Sequence, residues 1–138
     1  MPVGMHMQKK ELETERLKGK VMMALSSHVG EFNAIGMGEL YELATGEEWS
    51  NRINDTRKLR TIITALRDGG AAICSTASQH GGGYYIAAAG SELAGYLRRQ
   101  KIRALKILAR NAGILKTNLP NYLGQLKLES EGAHAEKT

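Results

Sequence analysis

The sequence predicts a mainly α chain with one small β-hairpin, an α+β class, plus a long C-terminal helix. Three observations predict it. Apolar residues recur at helical spacing in four separate stretches; two short β-compatible runs bracket a glycine-rich tip; and one long stretch is basic and free of acids. A chain of 138 residues has room for one compact domain of about 80–100 residues, an appendage and tails. The expected division is a disordered tail over 1–12, a folded domain over 13–90, a basic amphipathic helix over 91–126 and a polar disordered tail over 127–138.

The first helix is predicted from about Glu13 to Val29, where Leu17, Val21, Ala24, Leu25 and Val29 fall on one stripe and Gly30 closes it. A short second helix fits Met37 to Ala44, with Leu40, Leu43 and Ala44 inward and Gly46 as the stop. The connection Gly46–Asn54 is polar and holds the one tryptophan, Trp49, which either plugs the space between helices two and three or marks a partner surface.

The third helix is the best defined. Asp55 suits an N-cap, because its carboxylate can accept from the free amides of the first turn. Leu59, Ile62, Ile63 and Leu66 then recur at i, i+3, i+4 and i+7, and Gly69-Gly70 ends the helix. Two short runs, Ala71–Ser75 and Tyr84–Ala88, flank a glycine-rich tip and predict an antiparallel hairpin that must pack on the helices to persist. Ser91 caps a long fourth helix reaching Ala112 or beyond, and Pro120 stands where that helix has already ended or kinked.

The totals exclude several classes of function. No apolar run approaches the ~20 residues that span a bilayer, and no secretory leader is evident. The lone Cys74 allows no internal disulfide framework and sits at an inward strand position, so a reducing cytoplasm is the simplest compartment. His6, His28, His80 and His134 lack paired ligand spacing, so no metal is expected. Gly81-Gly82-Gly83 lacks the Lys-Ser/Thr of a phosphate-binding loop. No nucleophile, base or acid pair stands in a catalytic pattern; the reading is no enzyme, no cofactor and no small-molecule ligand.

Charge distribution says more than the net +5. Residues 1–92 carry ten Lys/Arg against eleven Asp/Glu, whereas residues 93–128 carry eight Lys/Arg and no acid. Such asymmetry points to an anionic partner, nucleic acid or a membrane surface. The fourth helix lacks the large aromatics of a membrane anchor, which leaves nucleic acid.

Over Asp55–Ala88 the chain closely resembles the winged helix-turn-helix family, in the form of the biotin operon repressor's N-terminal domain and of small bacteriophage and prophage proteins. The residues carrying the resemblance are Asp55, Leu59, Ile63, Leu66, Arg67, Gly70, Ile73, Cys74, Ser75, Gly83, Tyr84 and Tyr85. The close match covers about a quarter of the chain, and the order helix, helix, helix, hairpin, helix extends it to about two thirds. Two departures stand out. The connection between helices two and three exceeds a minimal turn, and the wing offers His80 but neither Lys nor Arg.

The resemblance implies a fold, winged helix-turn-helix over 13–90, and a function, sequence-specific binding of double-stranded DNA. Helix three would enter the major groove. Its outward Arg57, Arg60, Thr61 and Thr64, flanked by Lys58 and Arg67, suit base edges and phosphates, with His80 on the wing. The five acids of residues 21–51 (Glu31, Glu39, Glu42, Glu47, Glu48) would repel phosphate, so they should face away from the duplex or meet a protein.

On helix four, Arg99, Arg103, Lys106 and Arg110 fall within an arc of about 60° at about 100° per residue. Arg99 and Arg103 are candidate phosphate contacts. Opposite lies a broad apolar face containing Ile102, Leu105, Ala109 and Ala112. It either belongs to the domain's own core or forms a homodimer seam through Leu97, Ala104, Leu108 and Leu115. Two functions follow: a phage- or prophage-type regulator of transcription or replication, acting as a dimer, or a winged-helix protein-interaction module in a larger assembly.

Overall fold

The computed structural model describes residues 2–77 and 82–136. The chain divides into two compact units, residues 1–93 and 94–138. Within the first lie α1 (Pro2–Leu25), a 3₁₀ turn (Glu31–Asn33), α2 (Met37–Thr45), α3 (Arg52–Asp68), β1 (Ile73–Thr76) and β2 (Gly83–Ile86). Helix α4 (Gly90–Ile114) runs from the first unit into the second, and α5 (Leu119–Glu136) completes the second.

Helix α1 starts well ahead of Glu13, within the segment expected to be disordered. Residues 8–20 carry little apolar periodicity but are rich in Gln, Lys, Glu and Leu, which lose little rotamer freedom in a helix. Lys18 pairs with Glu15 at 3.0 Å, an i,i+3 contact on the exposed surface. The helix also stops earlier than its stripe suggests. It ends at Leu25, and Val29, expected on that stripe, is 42% exposed and bridges to Ile86.

Helix α2 ends as predicted at Gly46, whose φ of 72° is left-handed and whose N–H bonds the carbonyl of Glu42. Its inward face is rotated by a residue position. Leu40, Tyr41 and Ala44 are buried, whereas Leu43, expected inward, is 60% exposed. Tyr41 substitutes because its ring can be buried while its hydroxyl reaches the Glu47 carboxylate at 3.3 Å.

Helix α3 begins a turn before Asp55. Asn51 is the cap, its side chain accepting from the Asn54 N–H at 3.2 Å. Asp55 lies inside the first turn and accepts from the Asn51 N–H at 3.1 Å, so the cap residue's own N–H is satisfied while its side chain serves Asn54. Leu59, Ile62 and Ile63 are buried, and Leu66 packs beside them. The helix closes with Ala71 N–H on the Leu66 carbonyl and Gly70 N–H on the Arg67 carbonyl, with Gly70 at φ 100°. That is a Schellman closure, and the left-handed residue is a glycine as sterics prefer.

Strands β1 and β2 pair antiparallel, with Cys74 opposite Tyr85 and Ser75 opposite Tyr84. The far edge of β2 is also occupied. Ile35 and Tyr84 exchange both backbone hydrogen bonds at 2.9 Å, and Ile86 bonds His28 and Gly30. Gly83 permits this approach, since a Cβ there would run into the Ile35 carbonyl. Cys74 is fully buried, as its inward strand position implied. The core of this unit joins Val21 and Leu25 to Ile35, Leu40, Leu59, Ile63 and Ile73.

In the second unit α4 ends at Ile114, and a further helix, α5, follows where a polar tail was expected beyond 127. The connection is another Schellman closure: Thr117 N–H bonds the Ala112 carbonyl and Lys116 N–H the Gly113 carbonyl. Here the left-handed residue, φ 56°, is Lys116 rather than glycine. Asn118 caps α5 by accepting from Asn121 N–H at 2.9 Å, and Pro120 sits in the first turn, where no N–H is required. Tyr96 and Ala112 are the buried residues of α4, and Lys101 to Ile107 are all exposed.

Candidate nucleic-acid interface

The exposed side of α3 brings four of the nine predicted contact residues together. Arg57, Arg60, Thr61 and Thr64 line a hollow of about 650 Å³ together with Arg52, Ile53 and Thr56. Arg52, Ile53 and Thr56 were missed. The first two belong to the added turn before Asp55, and the signal for that turn was present as Asn51 followed four residues later by an acid.

The hollow is cationic without internal neutralisation. Arg52, Arg57 and Arg60 are exposed, and among the described residues none has a carboxylate within ion-pairing distance. Arg52 instead lies 5.2 Å from the centre of the Trp49 ring, a cation–π contact that aligns the start of α3. The Thr61 hydroxyl donates to the Arg57 carbonyl at 2.9 Å, leaving its lone pairs to accept from an outside donor. Lys58 is exposed on the flank of the helix facing α1.

Arg67 stands apart from this group. It is half-buried, its Nε donates to the Ile73 carbonyl at 2.8 Å, and its guanidinium lies 5.8 Å from the Tyr84 ring. These contacts tether the end of α3 to the hairpin, so Arg67 is a structural tie rather than a free cation. His80 lies outside the described residues. Arg99 and Arg103 are exposed on α4 in the second unit, as are Leu97 and Ala104; Leu115, just past its end, is exposed too, while Leu108 is half-buried.

Several acids of the first unit hold local structure. Glu42 accepts from Trp49 N–H at 3.2 Å, pinning the connection between α2 and α3. Glu31 accepts from the Thr76 hydroxyl, and Glu92 accepts from Ala88 N–H at 2.8 Å. Trp49 packs against the core, its ring pressed on Gly38, where any Cβ would collide with the indole. Its Nε1 is buried without a hydrogen-bond partner among the described residues.

Burial also governs titration here. Tyr85 is pushed up to about 12 by desolvation first, with the Cys74 thiol and the Glu31 and Glu92 carboxylates adding to it. Tyr41 is raised chiefly by burial, then by Asp55 and Glu47. Among the described residues no group of three His, Cys, Asp or Glu could hold a metal ion, and no helix is long and apolar enough to cross a membrane. No protein-family model matches the chain, and no curated protein or solved structure is significantly similar to it.

Proposed function

We propose that the first unit is a winged helix-turn-helix that binds double-stranded DNA with α3 in the major groove. The observation that carries this reading is the hollow on α3, where three arginines without ion-pair partners among the described residues stand beside Thr61 and Thr64 on a helix anchored by Leu59, Ile62 and Ile63. Charge of one sign on a firmly held helix face is what base and phosphate recognition requires. The order α1, α2, α3, hairpin supports it, as does the closing of β2 by the Ile35 bridge. On this reading the protein is a cytoplasmic regulator of transcription or replication of the phage or prophage type, and not an enzyme.

Pairing of two copies through α4, with Leu97, Ala104, Leu108 and Leu115 at the seam, would present two recognition helices to a palindromic site. The exposure of Leu97 and Leu115, at 55% and 61%, supports this arrangement. Selection from a random duplex pool, followed by mobility shift on the recovered sequence, is the test. Arg60→Ala or Thr61→Ala is expected to lower discrimination against random DNA by roughly 1–3 kcal/mol. Failure of the pool to yield any bound duplex at low salt would reject the reading.

A further inference from the structure

We propose that the groove between α1 and α3 is a second DNA contact, one that grips the phosphate strand bordering α3; the inference rests on the DNA reading of α3. Helix α1 is longer than its packing requires. Its inner stripe begins at Leu17, yet residues 8–16 continue the helix as an exposed stretch.

That extension is not directed into empty solvent on every side. With α3 and the end of α2 it lines a groove of about 650 Å³, into which Lys10, Arg16 and Lys20 come from α1 and Arg57 and Lys58 from α3. Two acids, Glu13 and Glu47, share the lining; Glu47, expected from the sequence to face away from a duplex, borders this groove and accepts from the Tyr41 hydroxyl. Among the described residues none of the five cations forms an ion pair, although α1 makes one elsewhere between Lys18 and Glu15. Against Glu13 and Glu47 the five cations leave an excess of three positive charges around one groove, which repel each other unless an outside anion occupies it. A polyanion is the occupant this charge selects.

Dimensions identify which part of the duplex it meets. The major groove is about 12 Å wide and a helix with its side chains about 10–12 Å across, so α3 fills it. A helix packed alongside has its axis about 8–10 Å away, beyond the groove's half-width and over the sugar–phosphate wall. Lys10, Arg16 and Lys20 therefore contact phosphates and read no sequence, whereas Arg60 and Thr61 face the bases. Arg57 and Thr61 line both hollows and so mark where the base-facing and phosphate-facing surfaces join.

The test is a salt series of binding to a random-sequence duplex of about 25 base pairs, somewhat more than two helical turns. The full-length chain is compared with the triple variant Lys10→Ala/Arg16→Ala/Lys20→Ala and with Lys18→Ala/Lys101→Ala/Lys127→Ala, which removes equal charge outside the groove. The groove variant should flatten the slope of log affinity against log salt by about 2–3 and weaken binding at about 0.1 M salt at least tenfold. Preference among sequences should be unchanged, and the circular dichroism and melting of all three proteins should coincide. An unaltered slope, or equal flattening in the control variant, overturns the proposal while leaving α3 as the DNA contact. Absence of any duplex binding by the unmodified protein at low salt removes both.

Discussion

In the first unit α1, α2, α3 and the hairpin converge on a shared interior that includes Leu25, Leu40, Ile63 and Ile73. In the second unit, among the described residues, only Tyr96 and Ala112 are buried, and Ile102, Ile107 and Ile114 are exposed. Both units carry a basic helix, and the charge pattern alone favours the second. Packing separates them. The arginines of α3 project from a helix with a buried floor and capped ends, so their spacing is held. Those of α4 project from a stretch that is exposed all round between Lys101 and Ile107. Helices derive most of their stability from such packing rather than from propensity.

The sharpest way to break this comparison is to truncate one apolar side chain in each unit. Ile63→Ala should cost about 2–5 kcal/mol in denaturant unfolding, through lost burial and the cavity left behind. Leu97→Ala, at a site 55% exposed, should cost less than about 0.5 kcal/mol in the monomer. If the cost at Leu97 instead grows with protein concentration, α4 is buried between two copies, and the second unit has its core only in the dimer.

Alkaline pH gives the next largest effect and acts on the first unit. The Tyr85 hydroxyl ionises at 10.0 when unfolded and at about 12 in the fold, because burial opposes the phenolate. A raised folded value means the stabilisation is complete below the unfolded value and is lost as pH climbs through the window to the folded one. The loss should be on the order of 2 kcal/mol across that window, and Tyr85→Phe should remove that pH dependence. An unchanged urea midpoint over this range in the parent protein would show that the hydroxyl reaches solvent.

The smallest effect separates the units by sign. Gly38→Ala should destabilise by about 1–2 kcal/mol despite alanine's helix preference, because the new methyl meets the Trp49 indole. Gly124→Ala, inside α5 with open space around it, should stabilise by about 0.5–1 kcal/mol. Thermal melts of both variants check the pair; a stabilised Gly38→Ala would show that the indole moves aside freely.

What the sequence made legible follows from how each element is held. The apolar stripe of α3, the glycine stops and the hairpin were readable because Leu59, Ile62, Ile63, Gly46 and Gly70 each answer a local steric or burial demand. The first half of α1 was not, because an exposed helix needs no apolar period and only propensity marks it. Leu43 and Tyr41 exchanged places because an apolar count favours leucine, whereas the fold offers Tyr41 both burial and an acceptor in Glu47. The Ile35 and Val29 bridges are single-residue pairings and leave no alternation to detect. Arg57, Arg60, Thr61 and Thr64, grouped by their spacing, line one hollow, while the tie of Arg67 to Ile73 could not be read because it depends on where β1 begins.

Trp49 has a practical consequence. It is the sole tryptophan of the chain, and its ring is fixed between Gly38 and the Arg52 guanidinium at the entrance to α3. Indole emission from this protein therefore reports one location rather than an average over many. Its partnerless Nε1, shielded from water, favours blue-shifted light, and withdrawal of the guanidinium alters the field across the ring. The connection between α2 and α3 thus carries its own optical gauge, sensitive at once to unfolding and to anything that draws Arg52 away.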